Sequence, residues 1–399
     1  MLSVLTYMGI AVRDCVAYQL AGSQRTNAAE KAVALDPSNA DYRNTLGKYL
    51  MSSEQRADLA IPQYNSAVSL NPHIAEYWLN LANAYGFTGA RDQQKRALKR
   101  ALDVEPNTPS VSREVGNALF LRGDMERAFE IFSVLLRSDP SNMEGTLQTC
   151  WQATDHDVDT MSDGLPLTTD AHLAFLRLLI GEGNSGGAEK VWSRLVALHK
   201  PFDPQLAAPY LEYLIARHRV DRARAAWNDL LRIEPGFRPY GPTSANIIVN
   251  GGFEEKLLNM GFDWRYEEHP HITLDTDEER IHGGRRSLSL GFDGGGVVDA
   301  GVSQLVPVDR HTRYVFSAYA KADNIFAAAG PQFVIQDAYT KKSLLVTKEI
   351  LGTTDWTNVR ESFTTGPNTE LARLTIMRTL GAGPIIGRLW IDDVVLTRE

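Results

Sequence analysis

Cysteine is nearly absent. Cys15 and Cys150 are the only two among 399 residues, too few for a disulfide framework, and Cys150, beside Trp151 on an expected helix, reads as a small buried thiol. An excess of basic charge is missing too. Lys and Arg number 41 against 49 Asp and Glu, a formal net charge of −8, and no run of Lys or Arg occurs. That balance offers no general attraction to nucleic acid. Nor is there a long apolar run. The first twelve residues, MLSVLTYMGIAV, are apolar, but Arg13 and Asp14 interrupt them well before the ~20 residues a membrane span needs. Without a preceding basic region or a clear small-residue cleavage site, the stretch is a poor signal peptide. It reads first as an N-terminal helix, residues 1–24, packing against the helices that come after it. The alternative is membrane anchoring upstream of or at the N-terminus, with residues 2–12 as the end of an anchor helix in a longer envelope protein.

Signatures of catalysis are scarce as well. No metal-protease or kinase motif is present, and no pair of acids stands out as catalytic. Gly183-Asn-Ser-Gly-Gly187 fits the G-x-S-x-G expression, but residues 173–180 before it read as helix where a nucleophile elbow needs a strand, so Ser185 is not read as a nucleophile. His269-Pro-His271, with Glu267, Glu268 and His282, has zinc-ligating residue types but no completing zinc signature, and reads as a polar loop. Gly294-Gly-Gly296 lacks the helix and Lys of a phosphate-binding loop and reads as a hairpin turn.

What the chain does have is a ruler. Pro37, Pro72, Pro106 and Pro140, each preceded by an acid or amide, mark off segments of 35, 34 and 34 residues. A fixed period of this size marks a repeat array. Each acid–Pro or Asn–Pro step stops a helix, because the residue before proline is pushed out of the helical region and proline lacks a donor. The segment from Ala75 to Thr108 carries Trp78, Leu81, Ala82, Tyr85, Gly89, Ala101 and Pro106, and with these residues it resembles the tetratricopeptide repeat. Two antiparallel helices pack when small residues, here Ala82 and Ala101, sit where backbones approach and aromatics, here Trp78 and Tyr85, fill the space between. Leu46 and Gly47 keep the register before this segment, and Gly116, Gly123, Ala128 and Phe132 keep it after. Gln94 stands where the family usually has alanine, which implies a displaced second helix or an outward side chain.

Past Pro140 the pattern persists in worn form. Gly183, Ala188 and Trp192 recur 35 residues later as His218, Ala223 and Trp227, closing on Glu234-Pro235. Thr154 to Asp170 has few large apolar residues and carries Asp155, Asp157, Asp159 and Asp163, so one helix there is expected to be short or replaced by a loop. We therefore expect regular repeats over residues 25–140 and degenerate ones over 141–237. The resemblance implies a groove for a protein or peptide partner lined by Asn44, Lys48, Leu79, Asn83, Arg113 and Asn117, with Asn83 and Asn117 placed to bond an extended peptide backbone. Chaperone-binding members of the family add a lysine at the fifth position of a repeat to grip a carboxylate. Leu79 and Arg113 stand at that position here, which argues against such a clamp.

After a linker at residues 238–245 containing Pro239 and Pro242, the helical period gives way to short alternating stretches, among them 287–292, 313–319, 332–335, 372–377 and 388–396. Strands at such spacing without intervening helices argue for an all-β antiparallel sandwich over residues 246–399. Asn250-Gly-Gly-Phe-Glu254, Gly284 with Ser287 and Leu288, Tyr314 to Lys321, Trp356 with Phe363, and Trp390-Ile-Asp-Asp-Val394 follow an order that resembles the galactose-binding-like jelly rolls, which include carbohydrate-binding modules. The resemblance implies a structural calcium ion held by Glu254 and Asp392, with Asp393 the alternative, together with backbone carbonyls. Sugar recognition needs flat aromatic faces with amides, acids or Arg beside them, and Trp264, Tyr266, Gln336 and Tyr339 are the candidates. Trp356 and Trp390 fall in positions shared by the fold and read as structural.

The sequence thus predicts an all-α tetratricopeptide-type solenoid followed by a jelly roll, and a non-catalytic adaptor that joins a protein partner to a polysaccharide or a cell-envelope component. One alternative is a scaffold in which the sandwich caps the solenoid; a glycan hydrolase is the third. The resemblance to extracellular modules favours the cell envelope or periplasm over the cytoplasm.

Overall fold

Five helices stop at the same distance from a proline. A computed structural model describes residues 2–399, with side chains at all of these except 2–7, 9 and 140; Met1 and those first side chains of the expected anchor segment lie outside the described residues. The helices are α1 (Leu2–Ala21), α2 (Thr26–Leu35), α3 (Ala40–Ser52), α4 (Ala57–Leu70), α5 (Ala75–Phe87), α6 (Arg91–Val104), α7 (Pro109–Leu121), α8 (Met125–Ser138), α9 (Met143–Ala153), α10 (Val158–Gly164), α11 (Thr169–Gly181), α12 (Ser185–Ala197), α13 (Ala208–Ala216) and α14 (Val220–Ile233). Pro37, Pro72, Pro106, Pro140 and Pro235 each fall two residues beyond the last residue of α2, α4, α6, α8 and α14. Among the described residues no helix is long and apolar enough to cross a membrane.

Within the repeats, the helix pairs close over glycine. A Cβ added to Gly47 would lie 2.5 Å from the Tyr64 ring, and one on Gly116 would lie 2.6 Å from Phe132. Tyr64 and Phe132 are both buried, so the missing side chain lets the second helix seat its aromatic directly on the first. Gln94 departs from the outward orientation the sequence allowed. It is buried, and a Cβ on Gly86 would lie 2.4 Å from its Nε2, so Gly86 makes room for the larger side chain. The acid-rich stretch holds α10, of only seven residues, capped by Asp157, which accepts the Thr160 N–H at 2.7 Å.

The chain divides into two compact units, Met1–Leu178 and Leu179–Glu399. This line falls inside α11, not at the expected linker, and places the end of α11 and α12 to α14 with the sandwich. In this second unit Trp192 stacks on Tyr210 at 4.9 Å and donates to Asp229 at 2.8 Å. Trp227 contacts the rings of Phe237 at 4.8 Å and Phe262 at 5.6 Å, and its Nε1 donates to the Tyr240 carbonyl at 3.0 Å. The Tyr240 hydroxyl donates to the Lys256 carbonyl at 2.8 Å. Residues 235–240, which run into the expected linker, are therefore a short 3₁₀ turn wedged between α14 and the sandwich. Gly261, at φ +55°, permits the close approach, since a Cβ there would stand 2.4 Å from the Trp227 ring.

The strands are β1 (Trp264–Tyr266), β2 (Ile272–Asp277), β3 (Ser287–Asp293), β4 (Asp299–Pro307), β5 (Arg313–Ala327), β6 (Gln332–Asp337), β7 (Ser343–Val346), β8 (Gly352–Thr364), β9 (Leu371–Met377) and β10 (Ile385–Arg398). They form two antiparallel five-stranded sheets, β1-β4-β9-β6-β7 and β2-β3-β10-β5-β8. All five alternating stretches picked out in the sequence lie in strands. Inward residues such as Leu290, Val302, Phe316, Phe333, Leu374 and Leu389 form one core between the sheets. Asn246 ties the two ends of the sandwich together: its Nδ2 donates to the Val394 carbonyl at 3.0 Å while its Oδ1 accepts the Leu396 N–H at 3.0 Å.

Candidate functional site

Strand alternation decides which side chains the first sheet presents outward. With Val302 and Val306 in the core, the residues between them, Ser303 and Leu305, face away. Register then sets Arg265, Ser303 and Thr375 side by side in one cross-strand row, and Leu305, Arg373 and Gln336 in the next. The end of α13 comes down on this face. Tyr339, in the turn between β6 and β7, donates its hydroxyl to the Ile215 carbonyl at 2.8 Å and stacks on His218 at 3.7 Å with the rings 11° from parallel. Burial pushes its phenol up to about 12, so it stays a neutral donor. Arg265 donates to Glu212 at 2.7 Å, and the same carboxylate oxygen accepts the Gly261 N–H at 2.9 Å.

Between α13 and the sheet remains a pocket of about 310 Å³, lined among others by Ile215, Tyr266, Glu267, Ser303, Lys341 and Arg373. Its guanidinium groups are incompletely used. Among the described residues the Nε of Arg265 and the Nε of Arg373 are buried without a partner, and the nearest acid to Arg373 is Asp299 at 4.0 Å. Buried donors without partners are rare and costly.

The aromatic platform expected at Trp264 is corrected by the structure. Trp264 pairs with Gln304 on the core side, is 2% exposed, packs on Phe253 at 5.0 Å and donates Nε1 to the Asn250 carbonyl at 3.0 Å. It offers no face to a sugar. Tyr266 is 37% exposed on the rim of the pocket, Gln336 lies on the same outer face, and Tyr339 gives its ring to His218 instead of to solvent. Sequence reading missed Arg265, Ser303, Lys341 and Arg373. Arg265 was legible: once Trp264 is inside, its neighbour on a strand must point out.

Of the predicted groove residues, several are engaged within the repeats. Asn44 is buried and accepts from Asn80 at 3.0 Å, Lys48 pairs with Glu76, Leu79 is buried, and Arg113 reaches Asp139 at 3.3 Å. Asn83 and Asn117 are brought together. With Phe87, Gln94 and Arg122 they line a pocket of about 710 Å³, where, among the described residues, Asn117 Oδ1 and the Nε and Nη1 of Arg122 are buried without partners. Arg122 was not anticipated, since it follows the helix and lies outside the groove positions.

Glu254 and Asp392 lie at opposite ends of the sandwich sequence and meet around one loop. Glu254 accepts the backbone N–H of Arg285 at 2.6 Å and of Arg286 at 3.2 Å; Asp392 accepts those of His282 at 2.8 Å and Gly283 at 3.0 Å. Asp392 is fully buried, and its carboxyl is raised by burial, with the charge of Asp393 adding to it. A Cβ on Gly252 would lie 3.9 Å from Asp392 Oδ1 and 4.0 Å from Asp393 Oδ1, with the Glu254 Cγ at 3.7 Å. Among the described residues no three or more acids, histidines and cysteines are gathered as a metal-binding set. Of the histidines that suggested zinc, His269 and His271 stay neighbours with their rings 6.0 Å apart, and His271 bonds Asp293 at 2.9 Å, whereas His282 bonds Asp393 at 2.6 Å and stacks on Tyr319 at 3.5 Å. Ser185 opens α12 and bonds the Tyr213 hydroxyl at 2.6 Å, with a helix on either side of its turn.

Residues 87–142 match the tetratricopeptide repeat family, and residues 245–379 match the carbohydrate binding domain family. The Hsp70-Hsp90 organizing protein of Triticum aestivum is 29% identical over 128 residues, 30% of this chain and 22% of its own length. Small glutamine-rich tetratricopeptide repeat-containing protein 2 of Mycosarcoma maydis is 30% identical over 107 residues, 27% of this chain and 30% of its own length. The chain thus spans less than a third of the length of these curated relatives. A solved structure described as "CBM4 structure and function" is 17% identical, covering 38% of this chain and 99% of that one, with a TM-score of 0.30. Both families are of non-catalytic kinds. The chain carries tetratricopeptide repeats in its N-terminal region, followed by a CBM4-like carbohydrate-binding domain built as a sandwich of two antiparallel sheets.

Proposed function

We propose that the protein is a non-catalytic adaptor: the repeat groove around Asn83, Asn117 and Arg122 holds a protein segment, and the outer face of the first sheet holds a glycan. The observation that carries this reading is the outer-face pocket, where Arg265, Tyr266, Ser303 and Arg373 line one concave site on a carbohydrate-binding domain. Hydroxyl-rich ligands are recognised by such convergent donors and acceptors beside a ring face. In the groove, the amides of Asn83 and Asn117 suit an extended backbone, and the free donors of Arg122 suit an acceptor on the partner. The test is binding of the intact protein to an oligosaccharide panel. Tyr266→Ala is expected to weaken glycan binding by about tenfold with the melting curve unchanged; no binding of any oligosaccharide at millimolar concentration would remove the glycan half.

We propose further that the sandwich holds a structural calcium ion. Glu254 and Asp392, with Asp393 close by, would supply hard carboxylate oxygens and backbone carbonyls the remainder. The support is that the Asp392 and Asp393 carboxylates both approach Gly252 and that the hydrogen bonds to Asp392 come from backbone N–H groups of His282, Gly283 and Asp393 rather than from a cationic side chain; Glu254, paired with Arg285 at 3.2 Å, would exchange that partner for the ion. Calcium is expected to raise the melting temperature of the sandwich and chelator to lower it; identical melts under both conditions would count against the ion.

A further inference from the structure

We infer that the pocket beneath α13 receives the anionic terminal sugar of a glycan chain, a reading that rests on the proposed glycan-binding role of this face. Two observations carry it, one of charge and one of shape.

The charge is local and runs against that of the whole molecule. The chain has a formal net charge of −8, yet Arg265, Lys341 and Arg373 line this pocket with Glu267 as the only acid among its lining residues. Glu212, just outside, takes one Nη of Arg265 at 2.7 Å, and Asp299 stands 4.0 Å from Arg373. Neither acid satisfies the Nε of its arginine, and both Nε atoms are buried without partners among the described residues. A guanidinium grips carboxylate or sulfate oxygens through two parallel N–H bonds, of which the Nε–H is commonly one. The lining of the pocket thus sets three cationic side chains, Arg265, Lys341 and Arg373, against the single acid Glu267, a balance that favours an anion. A neutral sugar needs acceptors as well as donors; here Glu267, Asn259 and the Tyr266 and Ser303 hydroxyls are available for the remaining ring hydroxyls.

The shape restricts the ligand to an end. Open sheet faces accommodate the middle of a chain, because it can enter and leave across the strands. Here Ile215 and Tyr339 form part of the pocket wall, tied by the 2.8 Å hydrogen bond from Tyr339 to the Ile215 carbonyl, and α13 bounds the site on that side. About 310 Å³ lies at the small end of ligand pockets, enough for a terminal unit and its neighbour. A uronic acid carboxylate and a sulfate ester share the chemistry required, a cluster of anionic oxygens on a sugar ring.

The test is calorimetric titration of the intact protein with three oligosaccharides of equal length: one ending in a uronic acid, one ending in a sulfated sugar, and one neutral. One or both anionic ligands are expected to bind at least about tenfold tighter than the neutral one, and which of them does so identifies the source of the charge. Arg373→Gln should weaken the anionic ligands by at least about tenfold, and by more than it weakens the neutral one, with the melting temperature unchanged. Lys341→Asn, at a position with φ +60° that asparagine tolerates, gives a second variant free of any packing role. Titration with a longer polymer should show one protein per chain end, whatever the chain length. Equal affinity for neutral and anionic ligands, unaffected by either variant, would overturn this inference and leave the glycan reading standing. Stoichiometry that grows with polymer length would overturn the terminal-sugar claim. Binding of inorganic sulfate as tightly as of the sulfated sugar would show an anion site unconnected with glycans, and failure of all three oligosaccharides would overturn both readings.

Discussion

The repeats and the sandwich are stabilised over very different sequence distances. In the repeats, the decisive contacts are between neighbours: Gly47 with Tyr64, Gly86 with Gln94, Gly116 with Phe132. In the sandwich they span the domain, as when Asn246 holds Val394 and Leu396, or Trp390 donates to Asp277 at 2.8 Å. A quasi-one-dimensional array sums local terms, whereas a single sandwich core fails or stands as a whole. The difference also separates the candidate sites. The groove is built from corresponding positions in successive repeats; the pocket is built from strands β1, β4 and β9 and a helix at residues 208–216 that sequence alone had assigned to the repeats.

Three perturbations would sharpen or break this contrast. The largest effect is expected from Trp264→Ala, which empties a fully packed site between Phe253 and the Asn250 carbonyl and should cost about 3–5 kcal/mol. Thermal unfolding followed by calorimetry should show the transition of the second unit lowered and that of the repeats unmoved. A variant that loses glycan binding with its melting curve intact would return Trp264 to the role of sugar platform.

A comparable effect is expected from pH, acting through Asp263. This carboxyl is fully buried, accepts the Leu258 N–H at 2.7 Å and is pushed by burial up to about 7 from 3.8. Its folded pKa lies above the unfolded one, so folding takes up a proton. The contribution is fully present below about pH 4 and is lost as pH rises through about 7, with a span on the order of 4 kcal/mol. The second unit should therefore lose stability between about pH 4 and 7, and Asp263→Asn should flatten that slope. A slope unchanged by the substitution would place the titrating group elsewhere.

The smallest effect belongs to the repeats. Gly116→Ala puts a methyl group 2.6 Å from the Phe132 ring and should cost about 1–3 kcal/mol by overpacking. The loss should appear in the helical transition alone. If the sandwich transition moved equally, the two regions would not be energetically separate.

The same contrast explains how much of the molecule was legible in its sequence. The proline ruler marked where five helices stop, each two residues ahead of its proline, because each stop depends on a local steric clash that sequence states directly. The strands were legible from alternation, and Trp390 proved structural, held by Asp277. Of the two alternatives for Gln94, the outward side chain fails because its compensation, Gly86, lies on the facing helix eight residues earlier. Trp264 was misjudged because a three-residue strand has too few alternations to show which face is inward. Arg373 and Lys341 escaped notice because their pocket forms only when β9, the β6–β7 turn and α13 meet, and no spacing in the sequence records that meeting.

The central claim is that protein and glycan bind at separate places on one chain. Its most direct measurement is a pair of single-site variants, Arg122→Gln in the groove and Arg373→Gln in the pocket, each titrated with the same anionic oligosaccharide and the same peptide selected on the intact protein. Arg122→Gln is expected to lose the peptide and keep the oligosaccharide, and Arg373→Gln the reverse. Loss of both ligands from either variant with its melting curve unchanged, or of neither from both, would contradict it.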